Sequence, residues 1–296
     1  MSKLFDLLRP VLPKKYREKP VVIPTIRLSG AIMAGQGGFR PPLSLATSAA
    51  MIEKAFSFKD APAVAILINS PGGSPVQANL IYKRIRALAE EKSKKVIVAV
   101  EDVAASGGYM IAVAGDEIIA DPSSIVGSIG VISAGFGFTG LIDKIGVDRR
   151  VYTSGKNKMI LDPFQPEKTD DIDYLKGLQE EIHETFIDLV KERRGDVLNG
   201  EEDDLFSGRF WTGQTGQQLG LVDRIGDLRT LMRERYGESV KLRLISGERG
   251  FFRRGMFGGR VYTAVANPDF AAIGAGVADR LLESVEERAL WARFGL

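Results

Sequence analysis

The sequence predicts an α/β fold built on a largely parallel sheet. Two short apolar runs, "APAVAILINS" (61–70) and "KKVIVAV" (94–100), have the pattern of strands buried on both faces. Stretches with a helical period alternate with them, and strands that alternate with helices pair in parallel through crossovers. The first run stops at Pro71-Gly72-Gly73, a turn signal that closes a strand.

In chain order, Val21 to Ile32 reads as the first strand, ending at Gly30 and the loop "AGQGG", and Ala46 to Phe56 as a helix. The run 61–70 is the second strand, and Asn79 to Glu91 a helix charged on one side. The third strand extends over Val96 to Ala104 and meets Ser106-Gly107-Gly108, then a helix-like segment from Tyr109 to Ala114. Two short extended pieces are expected between Glu117 and Ile132, a helix near Phe138 to Ile145, and a strand over "VDRRVYTSG" (147–155). Ile172, Leu175, Ile182, Phe186 and Leu189 recur at helical spacing, which makes 167–194 an amphipathic helix. Short helices follow at 214–219 and 226–236, and "EEDD" (201–204) reads as a solvated helix start.

Composition narrows the function classes. The 296 residues carry 40 basic and 38 acidic side chains, a net charge of +2 that does not point to nucleic acid as a partner. There is no cysteine and one histidine, which removes disulfides and a thiol nucleophile and argues against a zinc site. Neither a metal nor a cofactor is expected. The first 20 residues hold six basic and two acidic groups around a broken apolar stripe without the core of a secretory signal. They read as a frayed leader, with peripheral contact to an anionic membrane as the second reading. Residues 123–142 are uncharged, but five glycines and four serines fit core strands better than a membrane span. A cytoplasmic location follows, with peripheral attachment to the cytoplasmic membrane face left open.

Ser106 carries the chemistry. A serine where a buried strand becomes a buried helix is placed as a nucleophile, but its hydroxyl needs a base. His183, 77 residues away, sits mid-helix beside Glu180 and Glu181, where an exposed helical histidine is the ordinary explanation. The other base is a lysine. A free lysine, with a pKa of ~10.4, is neutral at pH 7 in about one molecule in 2500, so a lysine base requires desolvation. "TSGKNKMILDPF" (153–164) offers Lys156 and Lys158, which face the same way in an extended chain. Lys158 leads into Met159-Ile160-Leu161 and suits burial better. Backbone N–H groups of Gly107, after the serine, and Gly73, in "NSPGG", are candidate oxyanion donors.

Three blocks, "INSPGG", "EDVAASGGYMIAVAGDEIIADPSSIVGSIGVI" and "SGKNKMILDPF", resemble the signal peptide peptidase A (S49) family of serine peptidases in order and spacing, over roughly residues 20–245. The resemblance implies Ser106 as nucleophile and Lys158 as general base, through Gly155, Lys158, Asp162, Pro163 and Phe164 of the family's G-x-x-K-x-x-x-[DE]-P-F pattern. It implies Ser128 as the serine that orients the lysine amine, and Gly73 and Gly107 as oxyanion donors. The fold it implies is the crotonase/Clp-protease-like spiral of ββα units, here with a helical C-terminal extension. It also implies a homo-oligomer whose serine and lysine come from neighbouring subunits, acting on apolar or unfolded peptides, remnant signal peptides among them. Typical members begin with a membrane-anchoring helix, which is not visible in this sequence.

The organisation expected is a basic amphipathic leader (1–20), a peptidase domain (21–246), and a Gly/Arg linker with a helical tail (247–296, helix over 269–292). Two other functions compete. A crotonase-type acyl-CoA enzyme shares the fold and glycine N–H pairs but leaves Ser106 and Lys158 unexplained. A non-catalytic oligomeric scaffold for peptides would not need every dyad position filled.

Overall fold

The computed structural model describes residues 20–35, 41–246 and 287–296. The leader and most of the C-terminal segment lie outside the described residues; of the expected tail helix, residues 287–292 are helical. The α/β class, with strands and helices alternating along the chain, is as expected. Within the described residues one sheet runs in the order β6 (Phe210–Thr212), β5 (Ile125–Gly127), β3 (Lys95–Ala105), β2 (Ala63–Ser70), β1 (Val22–Ser29), β8 (Lys241–Leu244). Every pair is parallel except β5 with β6.

The sheet forks at β3, and the fork makes room for the site. The first half of β3, Ile97 to Val100, pairs with β4 (Glu117–Ala120), while Val103 to Ala105 pair with β5. β4 continues to β7 (Arg224–Ile225). A single strand of 11 residues therefore belongs to two branches, which part at Glu101 and Asp102, and its last residue ends the β5 branch.

Helices cover both faces. α1 (Leu45–Phe56) and α2 (Pro75–Glu91) bury Ile52, Phe56, Ile81 and Ile85 against Ile26, Ile66, Ile68 and Val98 of the strands. Their starts follow from the sequence: Ser44 and Thr47 form a reciprocal capping box, and Ser74 caps a helix whose first residue is Pro75. On the other face α8 (Leu228–Tyr236), capped by Asp227, sets Leu228, Leu231 and Met232 against Ile23, Ile97 and Ile119. With apolar cover on both sides, the central strands carry the unbroken apolar runs that marked them in the sequence. No helix among the described residues is long and apolar enough to cross a membrane.

The short helix α3 (Gly107–Ala112) is wholly buried and anchored from both ends. Tyr109 donates its hydroxyl to Leu221 O at 2.9 Å, and burial pushes its phenol above the ordinary tyrosine range, so it remains a neutral donor. Below it, buried Arg194 of α5 (Thr169–Arg194) reaches Gly220 O and the Asp223 carboxylate at 2.9 Å, while Asp223 also accepts from Ile118 N–H at 2.6 Å.

One expected strand is absent. Residues 147–155 form no ladder, because no segment within the described residues lies beside them to pair with; Val151 and Tyr152 face outward, Tyr152 being 92% exposed. The first half of α5 is likewise uncovered: Tyr174, Leu178 and Ile182 are exposed, whereas Phe186 and Val190 further along are buried.

Asp223→Ala leaves the buried Arg194 charge without its carboxylate and frees the Ile118 N–H. A loss of roughly 2–4 kcal/mol in urea unfolding is expected, against within about 0.5 kcal/mol for Asp204→Ala, whose partner Arg209 is exposed.

Candidate active site

The C-terminal ends of β1, β2, β3 and β5 converge on one place, the edge at which parallel α/β sheets carry their sites. β2 ends at Ser70 and turns through Pro71, Gly72 (φ 102°) and Gly73 (φ 134°), conformations that glycine reaches without strain. The close packing here demands glycine as well. A Cβ on Gly73 would sit 2.1 Å from Ile32 O, one on Gly72 2.7 Å from the Ser106 Cβ, and one on Gly108 2.5 Å from Ser70 O. The turn after β2 is thus clamped between Ile32 and the start of α3.

Ser106 occupies the joint between β3 and α3 with φ 52° and ψ −123°, a backbone conformation that non-glycine residues rarely adopt and that costs of order 1–3 kcal/mol. Its N–H donates to Gly127 O at 2.9 Å, which continues the β3–β5 ladder by one residue and holds the strained joint. From Val103 to Gly115, Ser106 alone is not buried. Its hydroxyl makes no hydrogen bond among the described residues. The N–H groups of Gly73 and Gly107 likewise have no acceptor there, and the two backbones touch: a Cβ on Gly107 would lie 3.6 Å from Gly73 N. A part-exposed hydroxyl beside two N–H donors without acceptors among the described residues can attack a carbonyl and hold the oxyanion that results.

Ser128 follows Gly127 on β5 and is 4% exposed, with φ 53°. Its N–H donates to Arg209 O at 2.6 Å, just ahead of β6. The ladder register, Ala105 opposite Gly127, puts Ser128 across from Ser106.

The lysines stand elsewhere. Lys156 and Lys158 are both exposed, on a turn in which Lys158 N–H donates to Gly155 O at 3.2 Å, and neither side chain bonds to Ser106 or Ser128 within the chain. The burial expected of Lys158 does not occur in one chain, because its loop leads away from the sheet along an arm of about 130–168 that exposes Ile132, Phe136, Leu141, Ile145 and Val147.

That arm is nevertheless built. Asp162 accepts from the Arg149 guanidinium and from Phe164 N–H at 3.2 Å. Arg149 lies 4.8 Å over the Phe164 ring, and Phe164 packs on Phe138 at 5.5 Å. Phe138 N–H donates to Pro163 O at 2.6 Å, and Leu161 N–H to Asp171 of α5 at 3.2 Å. The Asp-Pro-Phe triplet therefore latches the loop that presents Lys158. Beside it, Phe136, Phe138, Met159, Leu161 and Leu175 line a pocket of about 490 Å³.

With this geometry in view, comparison with known proteins identifies the lineage. A model of peptidase family S49 matches residues 89–241, more than half of the chain and the part that holds Ser106, Ser128 and Lys158. The chain belongs to peptidase family S49. The Arabidopsis thaliana protein named "Serine protease SPPA, chloroplastic" is 33% identical over 70% of the chain and 31% of its own length. Two Brucella proteins, from B. abortus and B. melitensis, named "Na(+)/H(+) antiporter NhaA", are 60% identical over 98% of the chain, which spans only 39% of their length. The solved 1510-N membrane-bound stomatin-specific protease is similar over 78% of the chain, with a TM-score of 0.47 and 16% identity.

Two features of this S49 site escaped the sequence. Arg209 and the triplet Phe210–Thr212 pair with β5, and Phe210 also packs edge-on against Phe294 of the C-terminal segment at 5.0 Å; the aromatic, β-branched "FWT" was the available signal. His183 is not a solvated helical histidine: it is half-buried, with Nε2 3.0 Å from Ile129 O.

Asp162→Asn weakens the latch on the Lys158 loop without touching the sheet. Hydrogen exchange in 149–165 is expected to reveal an opening free energy lower by ~1–3 kcal/mol, with the global melting temperature unchanged.

Proposed function

We propose that this chain is a serine endopeptidase that cleaves apolar or unfolded peptides with Ser106 as nucleophile and Lys158 of a neighbouring copy as base. One observation carries the reading: Ser106, held in a strained turn, presents its hydroxyl beside the free N–H groups of Gly73 and Gly107. Membership of S49 supports the peptidase assignment, and the resemblance to signal peptide peptidase A makes remnant signal peptides one substrate class of this proposal. The antiporter name belongs to proteins of which the matched segment is 39%, and ion transport is not carried over to this chain.

Ser106 Oγ attacks the scissile carbonyl while the lysine amine takes its proton. The carbonyl oxygen, now an anion, rests on the N–H groups of Gly73 and Gly107. The lysine then returns the proton to the leaving amine, and an acyl-enzyme remains on Ser106. Water enters, gives a proton to the same lysine, and releases the acyl group. Ser128, buried across from Ser106, directs the amine through its hydroxyl.

The second copy follows from the arm. A lysine base must be drawn out of water, yet Lys158 is exposed and unbonded to the serine within one chain. The same arm and the uncovered first half of α5 present Ile132, Phe136, Ile145, Val147 and Tyr152, with Tyr174 and Ile182, as apolar surface of the kind that docks on another subunit. Docking would desolvate the lysine and deliver it to a neighbour's Ser106.

Cleavage of an apolar fluorogenic peptide by wild type, Ser106→Ala and Lys158→Ala, each checked for assembly size, tests this. Each variant alone should be inactive, and Lys156→Ala mildly affected. Mixed after dissociation and reassembly, the two inactive variants should recover up to about a quarter of wild-type activity, the share of sites that receive both intact groups when neighbours pair at random. No cleavage by wild type in an intact assembly would indicate a scaffold. Activity retained by Lys158→Ala would overturn the dyad.

A further inference from the structure

The only histidine of the chain has its ring on the backbone beside Ser128. His183 Nε2 lies 3.0 Å from the carbonyl oxygen of Ile129, 54 residues away in sequence. That carbonyl can only accept, so Nε2 carries the hydrogen, as it does in both the neutral tautomer with Nε2–H and the charged ring. Ile129 is fully buried, and no other donor reaches its carbonyl among the described residues.

The bond completes a three-point fixation of Gly127-Ser128-Ile129. Ser106 N–H holds Gly127 O at 2.9 Å, Arg209 O holds the Ser128 N–H at 2.6 Å, and His183 holds Ile129 O. Ser128 needs such fixation because its φ of 53° is strained for a residue with a side chain. Two of the three contacts are made by backbone. The third comes from a side chain of α5, the helix whose Asp171 also ties down the Lys158 loop through Leu161 N–H at 3.2 Å. α5 therefore touches the carbonyl of Ile129, the residue after Ser128, and the loop of Lys158 at once.

We propose that His183 is a positioning residue: its Nε2–H, by holding the Ile129 carbonyl, fixes the Ser128 hydroxyl at the angle from which it directs the base lysine. This rests on the role given to Ser128 above. His183 touches neither substrate nor reacting atoms, and it is not the base. It acts through Ser128 alone, and that sets the test.

The kcat/KM of the assembled full-length protein on the apolar fluorogenic peptide is measured against pH for wild type, Ser128→Ala, His183→Ala, His183→Gln and the Ser128→Ala/His183→Ala double variant. His183→Ala should lower kcat by ~5- to 10-fold, about the worth of one hydrogen bond, with KM unchanged. The acid limb of its profile should move, because the Ser128 hydroxyl no longer meets the lysine amine at its fixed angle. His183→Gln, which keeps an N–H donor, should restore most of the rate. The double variant should be no slower than Ser128→Ala, since both substitutions remove one function. Additive losses in the double variant, or a loss with an unmoved acid limb, would overturn the proposal. A silent Ser128→Ala would instead remove the role of Ser128, and the proposal with it. Should His183→Ala fail to assemble, His183→Leu, apolar and without a donor, makes the same comparison against His183→Gln.

Discussion

The joint at Ser106 is the constraint on which the rest of the site depends. A non-glycine residue at φ 52° and ψ −123° must be held from several sides, and here it is. Ser106 N–H bonds to Gly127 O, while Gly72 and Gly108 let the turn after β2 approach within contact of the joint. Tyr109 pins the following helix to Leu221 O. Each of these contacts shows why a residue type stands where it does: glycines where a Cβ would collide, a tyrosine where a buried carbonyl needs a donor. The reward for the strain is chemical. The turn that strains Ser106 also lifts its hydroxyl out of an otherwise buried segment and leaves two N–H groups without acceptors beside it.

The proposed nucleophile and its proposed base are built by different logics. The serine side is rigid, assembled where the sheet forks and backed by a core on both faces. The lysine side is a surface arm, held in shape by Asp162, Arg149, Phe138 and Phe164 but apolar on its outside. Such an arm is costly in a lone chain and sensible in an assembly. On the proposed function, the site is complete only where copies meet, and peptide hydrolysis would be confined to the assembled particle. α5 ties the two sides together, with His183 on the carbonyl of Ile129, next to Ser128, and Asp171 on the lysine loop.

Much of this was legible in the sequence because its signals are local. The central strands are apolar runs stopped by Gly, and Ser106-Gly107-Gly108 sits at the end of a strand. What was not legible is set by partners distant in the chain. β6, β7 and β8 are two to four residues long and exist only because β5, β4 and β1 offer an edge. Residues 147–155 have a strand-like pattern but no partner strand among the described residues. Lys156 and Lys158 share a face in extended chain, so periodicity could not separate them, and one chain leaves both exposed. His183 looked solvated because its partner, Ile129 O, lies 54 residues away and on another element.

The central claim is that Ser106 becomes a nucleophile only when copies assemble, and chemical trapping tests it most directly. Assembled wild type and dissociated subunits are treated with a serine-reactive phosphonate, and the adduct is mapped by mass spectrometry. The account expects a single adduct on the peptide that contains Ser106, formed in the assembly and absent from subunits alone. Labelling of another serine, or equal labelling of Ser106 in isolated subunits, would contradict it.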